Sequence, residues 1–274
     1  MDFMSKAISI CNQKGGVGKT TTAINLASYI ALKERKVLLI DADPQGNATS
    51  GLGIDKAKTA NSLYQVLLEQ RPLSDILIQT QVPNLFIAPS NLDLIGAEVE
   101  LVGAIGRDFR LKRALADIRD SYDYIFIDCP PSLNILTVNA LTASDTALIP
   151  IQCEYYALEG LSQLIKTINL VKDHLNQDLE IEGILLTMAD FRTNLTDEVI
   201  NEARDYFKDK VYKTVIPRSI KLSEAPGFGK PIVFYDKTSI GAVKYEELAR
   251  EFLNEDFTQA IAPQGLMETD GGKL

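Results

Sequence analysis

Two hydrophobic patterns alternate along this chain. Short runs of almost wholly apolar residues stand at 7–11, 37–40, 85–88, 124–127, 147–151 and 184–186. Such short apolar runs, bounded by polar or glycine-containing segments, predict strands buried on both faces. Between them, apolar residues recur every three or four positions. In 23–32, Ile24, Ala27 and Ala31 share one side, with Leu26 and Ile30 beside it. From 158 to 175, Leu158, Leu161, Leu164, Ile165, Ile168, Val171 and Leu175 form one stripe. That spacing predicts amphipathic helices. Strands separated by helices imply an α/β fold, a mostly parallel twisted sheet with helices on both faces, because parallel neighbours need a crossover lying over the sheet. No linker or internal repeat breaks the pattern, so a single domain is expected over residues 5–254. The last stretch, 255–274, holds Pro263, Gly265, Gly271 and Gly272 with little apolar pattern, and is expected to be a flexible tail.

Composition narrows the class without naming the chemistry. A chain of 274 residues with 46% hydrophobic and 24% charged residues can bury a full core, which excludes global disorder and a disulfide-stapled miniprotein. No apolar run approaches the length of a membrane span, and the first residues lack the pattern of a secretory signal. Cys11, Cys129 and Cys153 form no C-x-x-C pair and read as reduced, buried thiols of a cytoplasmic protein. The net charge of −9 argues against a protein that coats nucleic acid over its whole surface, but leaves room for a local basic patch.

The first chemical signal follows the first predicted strand. Asn12-Gln13-Lys14-Gly15-Gly16-Val17-Gly18-Lys19-Thr20-Thr21 leads from a strand through a glycine loop into a helix. Glycines let successive backbone N–H groups converge on one anion, and the helix N-terminus adds partial positive charge. Lys19 can then reach the β- and γ-phosphates of a nucleotide, and the Thr20 hydroxyl can ligate Mg²⁺. A plain glycine turn is the alternative, but these residues at these places arise by chance roughly once in ten million windows at ordinary residue frequencies. The loop departs from the strict G-x-x-x-x-G-K-[ST] pattern: Gln13 replaces the first glycine, and Lys14 is an additional lysine.

Two more runs end in carboxylates. The 37–40 run leads into Asp41-Ala42-Asp43-Pro44-Gln45-Gly46-Asn47, and the 124–127 run into Asp128-Cys129-Pro130-Pro131-Ser132. Both place an aspartate at the carboxyl end of a buried strand, where ligands sit in open α/β sheets. Asp128 suits the Walker B role, holding Mg²⁺ directly or through water. A helix cap or turn is the structural alternative for either carboxylate. The single histidine, His174, reads as a surface residue at a helix end.

Taken together, these motifs resemble the ParA/MinD family of P-loop NTPases. Lys14-Gly15-Gly16-Val17-Gly18-Lys19-Thr20 is similar to that family's deviant Walker A motif, and 43–51 to switch I of its chromosomal ParA (Soj) subgroup. So are Gln152–Leu161 and Leu222-Ser223-Glu224-Ala225-Pro226, and the likeness covers about 5–250. The resemblance implies a Mg²⁺-dependent ATPase, slow without its partner, that closes into a homodimer on ATP. It implies an ATP site of Lys14, Gly15, Gly16, Val17, Gly18, Lys19, Thr20 and Thr21, with Pro217 and Ser219 at the adenine. Lys14 would reach the partner's nucleotide, and Asp43 would orient the attacking water. It implies nucleoid-associated, non-specific binding of double-stranded DNA through Arg192 and Lys221, and hydrolysis triggered by a ParB-type partner in chromosome or plasmid segregation. Relatives commonly carry Asn at the place of Ser219 and Arg at the place of Lys221.

Local charge leaves the DNA reading open. From Ala203 to Lys221, six bases face two acids, a net +4 in nineteen residues, which equally describes a solvated helix face and loop. A MinD-like or cargo-positioning ATPase on a membrane or protein surface is the alternative, and the acidic C-terminal stretch lacks the basic amphipathic helix that membrane docking needs. A nitrogenase-type redox protein would need two cluster-ligating cysteines, for which Cys129 and Cys153 are poorly placed. A synthetase acting on a small substrate would need a substrate segment that the chain does not show.

Overall fold

Alternation within each apolar run decides which side of the sheet every residue serves. In β2 (Val37–Asp41), Leu38 and Ile40 enter one core while Val37 and Leu39 enter the other; in β5 (Tyr124–Asp128), Ile125 and Ile127 part from Tyr124 and Phe126 in the same way. Both strands are buried throughout, as their unbroken apolar sequence requires. A computed structural model describes residues 5–154 and 161–255. The 155–160 part of the family-like stretch, and the expected tail beyond Glu255, lie outside the described residues.

Among the described residues, seven strands form one sheet. Besides β2 and β5 they are β1 (Lys6–Ile10), β3 (Ile78–Gln79), β4 (Leu85–Ala88), β6 (Thr146–Gln152) and β7 (Glu180–Thr187), in the order β3-β4-β2-β5-β1-β6-β7. All neighbours pair in parallel except the two-residue edge strand β3, which runs antiparallel to β4. The register sets Ile10 beside Asp128 and Asp128 beside Asp41. The carboxyl ends of three adjacent strands therefore meet at one edge.

Helices cover both faces. On one lies α1 (Lys19–Leu32), buried along most of its length. On the same side, among the helices that follow α2 (Asn47–Gly51), α3 (Leu63–Leu68), α4 (Leu94–Glu100), α5 (Arg110–Ala116), α6 (Ile135–Ala143), α7 (Leu161–His174), α8 (Asn194–Phe207), α9 (Ile220–Glu224) and α10 (Ile232–Tyr235), lies the last one, α11 (Ile240–Phe252). Its Tyr245 is fully buried, and the phenol pairs with the Thr22 hydroxyl at 3.1 Å, joining α11 to the first turns of α1. Helices α3 to α8 supply the opposite core. The sheet and the two-sided cover are as the hydrophobic pattern predicts.

Element boundaries differ in ways that have causes. The first helix begins at Lys19, not at 23, because the phosphate loop feeds straight into it at Gly18 (φ 88°). No apolar residue marks that first turn, so periodicity could not show it. Part of the switch-like segment is the short helix α2, entered through the left-handed Gly46. The long stripe predicted from 158 is described from Leu161 and ends at His174, which sits at the helix end as expected.

One backbone contact ties the loop after α2 to the segment before α10. Gly229 (φ +63°) lies against Gly53, so that a Cβ at Gly229 would come within 2.6 Å of the Gly53 Cα. Gly229→Ala should therefore lose roughly 2–4 kcal/mol of stability, combining left-handed strain with a clash that backbone cannot relieve cheaply. Gly227→Ala, where a Cβ meets nothing within 4 Å, should be near neutral. Urea unfolding of the two variants checks this, and equal midpoints would show that the approach carries no strain.

Candidate nucleotide site and basic surface

The loop after β1 is pinned before it turns. Asn12 donates from Nδ2 to the Pro150 carbonyl at 2.8 Å and accepts the Lys14 N–H at 3.0 Å. Gly16 and Gly18 then take left-handed backbone (φ 76° and 88°) that a side chain would disfavour. Gly18 is the N-cap of α1 and brings no capping side chain, so the helix dipole and its first N–H groups face the loop uncapped.

The two loop lysines have opposite environments. Lys19 is only 6% exposed, and its ammonium donates to the Lys14 carbonyl at 3.1 Å. Burial lowers its pKa, and the nearby Asp128 offsets part of that. Lys14 stands at the rim, where its ammonium pairs with Glu154 at 3.1 Å, both side chains nearly half exposed. Glu154 also has Arg218 at 3.8 Å and accepts from the Gln152 amide. Glu154 lies in the family-like stretch from Gln152, but nothing there gave it a role; its position just past the carboxyl end of β6 was the available cue.

The aspartates divide the work between them. Asp41 accepts the Thr49 N–H at 2.8 Å and the Thr49 hydroxyl at 2.7 Å, and the same hydroxyl accepts the Ser90 N–H. It thereby anchors α2. Asp43 caps its own turn through the Gln45 N–H at 2.9 Å and remains 7% exposed. Asp128 is fully buried, yet neither carboxylate oxygen has a hydrogen-bond partner. Burial, then the Asp41 charge, pushes it well above the usual carboxylate range, and the neighbouring Thr20 hydroxyl and Lys19 ammonium offset only part of this. A buried, unsatisfied carboxylate beside a threonine hydroxyl is a donor set suited to a hard divalent cation. No three His, Cys, Asp or Glu side chains cluster for a metal among the described residues, so phosphate and water oxygens would complete such a site.

A cavity of about 150 Å³ opens beside the loop, lined by Gly18, Thr21, Pro217, Ser219, Thr187 and Tyr245. Pro217 and Ser219 thus reach the phosphate loop from the far half of the chain. Thr187, missed in the sequence, ends β7 and donates to the Val17 carbonyl at 2.9 Å. The cysteines are buried and free, as expected; burial lifts the Cys11 thiol to about 12 and Cys153 to about 11, so neither is a thiolate.

Arg192 and Lys221 lie on two segments stitched together by backbone hydrogen bonds, Ala189 N–H to Ile216 and Arg218 N–H to Ala189. Each is paired locally. Arg192 forks onto Asp190 at 2.8 and 2.6 Å and holds that carboxyl down at about 2, and Lys221 meets Glu224 at 3.0 Å. The basic run 203–221 does not form one patch. Helix α8 carries Arg204 away from Arg192, and Lys210 donates to the Ile181 carbonyl near the start of β7, at the opposite sheet edge. A fourteen-residue helix spans about 21 Å, so linear charge density overstated the patch.

Comparison with known proteins was decisive. A family model described as an AAA domain matches residues 5–181. The chain is 60% identical over 248 residues to the sporulation initiation inhibitor protein Soj of Bacillus subtilis (strain 168), covering 90% of this chain and 98% of that one. It is 55% identical over 253 residues to the chromosome partitioning protein ParA of Myxococcus xanthus (strain DK1622), covering 92% and 89%. This chain belongs to the ParA/Soj family of chromosome-partitioning ATPases. Its fold matches cobyrinic acid a,c-diamide synthase from Mycobacterium smegmatis, solved with a bound ATP analogue and magnesium, at TM-score 0.81 and 37% identity over 91% and 95% of the two chains. The P-loop fold expected from the motifs is thus the fold observed. No helix among the described residues of this ParA-family chain is long and apolar enough to cross a membrane.

Burial, against the Thr49 hydrogen bonds, pushes Asp41 up to about 6 from an ordinary 3.8. Between those values the folded, nucleotide-free chain binds more protons than the unfolded one, so this carboxyl makes stability fall as pH rises. Asp41→Asn abolishes that dependence. Without nucleotide or Mg²⁺, the variant should gain on the parent between about pH 4 and about pH 7. Urea unfolding across that range checks this; a constant offset would show that Asp41 titrates normally.

Proposed function

We propose that this chain is an ATP-driven DNA-partitioning ATPase: ATP and Mg²⁺ close it into a homodimer, the dimer holds double-stranded DNA without sequence preference, and a ParB-type partner triggers hydrolysis and release. The carrying observation is the division of labour between the loop lysines. A buried Lys19 is positioned for the nucleotide of its own chain. Lys14 at the rim points outward and has no need to serve that nucleotide. An ammonium that reaches a second copy's phosphates stabilises a closed pair only when ATP is present, which is a nucleotide switch.

Each residue has a part in that cycle. Backbone N–H groups of Gly15 to Thr21 and the Lys19 ammonium would hold the phosphates, while Pro217 and Ser219 bound the base. Thr20 and Asp128 would hold Mg²⁺, which neutralises charge developing on the β- and γ-oxygens. Asp43, anchored next to Asp41, would orient the attacking water. Closing the dimer asks Lys14 to exchange Glu154 for phosphate. An exposed ion pair contributes little in water, so the exchange is cheap.

DNA binding follows from doubling. One chain offers two locally paired cations against an overall −9. A dimer presents two copies of Arg192 and Lys221 on one body, and every additional phosphate contact steepens both affinity and its salt dependence. Asp190 and Glu224 hold the two side chains in place until phosphate displaces them.

Lys14→Ala should bind ATP with near-parental affinity yet remain monomeric with ATP in size-exclusion chromatography, and its turnover should fall at least tenfold. A normal ATP-dependent dimer would refute the cross-chain role. Arg192→Glu with Lys221→Glu should keep the ATP dimer and lose the electrophoretic shift of random-sequence duplex by at least tenfold in affinity. The parental shift should require ATP and weaken steeply with salt. A nucleotide-independent shift, or an unchanged shift by the double variant, would sink the DNA mechanism.

A further inference from the structure

A second cationic pocket lies away from the nucleotide edge, between α3 and α5. Gln70 and Arg71, just after α3, face Arg110, Arg113 and Asp117 on and just after α5 across a cavity of about 190 Å³. Three arginines from two segments line it together, with little to neutralise them, and the Arg113 guanidinium also lies against Gly106. Among the described residues, Arg110 and Arg113 make no ion pair, and the Nε and Nη1 atoms of Arg110 are buried without a hydrogen-bond partner. Among the described carboxylates Arg71 approaches Glu69 alone, at 3.9 Å and in solvent. Asp117, the acidic residue of the lining, is engaged by none of the three within ion-pair distance. Elsewhere the basic side chains of this acidic chain commonly find carboxylates: Arg119 pairs with Asp145, Arg192 with Asp190 and Lys244 with Glu247.

Buried guanidinium N–H groups without acceptors cost free energy, and like charges held together cost more. A bound anion relieves the like-charge cost directly, and it reaches the Nε and Nη1 atoms of Arg110, which have almost no accessible surface, once that side chain turns toward the cavity. The donor geometry selects the anion. Guanidinium forks offer parallel N–H pairs suited to oxygens two apart, as in a carboxylate or phosphate. A carboxylate has two oxygens and one charge, and the one already in the lining leaves the guanidiniums unpaired. A phosphoryl group brings three or more oxygens and nearly two charges, enough for several forks at once. The volume is that of a few water molecules, at about 30 Å³ each. It admits an isolated phosphate or a diphosphate.

We propose that the α3–α5 pocket is a second anion site, taking a small phosphoryl group through Arg71, Arg110 and Arg113. It is independent of the phosphate loop, whose cation is Lys19 and whose glycines lie at the carboxyl edge of β1.

Isothermal titration of the full-length protein with sodium pyrophosphate in Mg²⁺-free buffer tests this, because the two sites can be removed separately. The parent should bind two equivalents. Lys19→Ala should retain one, the pocket's. Adding Arg110→Gln and Arg113→Gln to Lys19→Ala should weaken that remaining equivalent at least tenfold, and Arg110→Gln with Arg113→Gln alone should keep the phosphate-loop equivalent. Should the double arginine change unfold the chain, Arg71→Gln and Arg113→Gln singly in the Lys19→Ala background should each weaken the remaining equivalent severalfold. No binding to Lys19→Ala, or residual binding indifferent to the arginines, would overturn the site. Orthophosphate and a glycerophosphate headgroup titrated in parallel separate free phosphate from a phosphate ester; binding of acetate as tight as pyrophosphate would also overturn the phosphoryl assignment.

Discussion

The burial of Asp41 and Asp128 side by side at the ends of paired strands is the constraint around which this molecule is arranged. Two carboxylates in a dry edge repel each other and lack the solvent that would stabilise them. The fold answers them unequally. Asp41 receives the Thr49 N–H and hydroxyl and is made into an anchor for α2. Asp128 has no hydrogen bond of good geometry among the described residues, and only the Thr20 hydroxyl stands beside it. Its compensation has to come from the Lys19 ammonium, from the Thr20 hydroxyl and from whatever cation the site takes up. That imbalance makes the edge receptive to a metal–phosphate ligand, since binding satisfies groups that folding alone leaves wanting.

The loop lysines follow from the same edge. Lys19 is drawn into it and folds onto the Lys14 carbonyl, so the main chain of one lysine holds the side chain of the other. Lys14 is thereby turned toward the rim, where Glu154 meets it. A Glu154 shared by Lys14 and Arg218 links the phosphate loop to the segment that carries Ser219 and Lys221. Nucleotide chemistry and the proposed DNA surface thus share one carboxylate, a short physical route between them.

Much of this was legible in the residues. Unbroken apolar runs announced a buried parallel sheet, and the glycine loop announced itself by composition and position. Asp41 and Asp128 were recognisable because they end such runs, and Asp43 because its segment resembles the family's switch I. Glu154, Thr187 and Tyr245 were not, since each acts through a partner more than a hundred residues away: Lys14, Val17 and Thr22. The run from Ala203 to Lys221 misled in the other direction, because proximity in sequence is not proximity on a surface once a helix carries the chain across the sheet.

Sequence alone therefore determined the fold class and the phosphate loop, because those rest on local spacing, period two or 3.6 for the elements and the turn that glycines permit, and it pointed to the family through the likeness of whole motifs to known ones. Tertiary structure decided the rest. Only the β2–β5 register sets Asp41 against Asp128 and makes one an anchor while the other is left unsatisfied. Only packing chooses Glu154 as the counter-charge of Lys14, and only the approach of α3 to α5 gathers Arg71 with Arg110 and Arg113. Electrostatic partnership depends on separation in space and on burial, and neither is written in the distance along the chain.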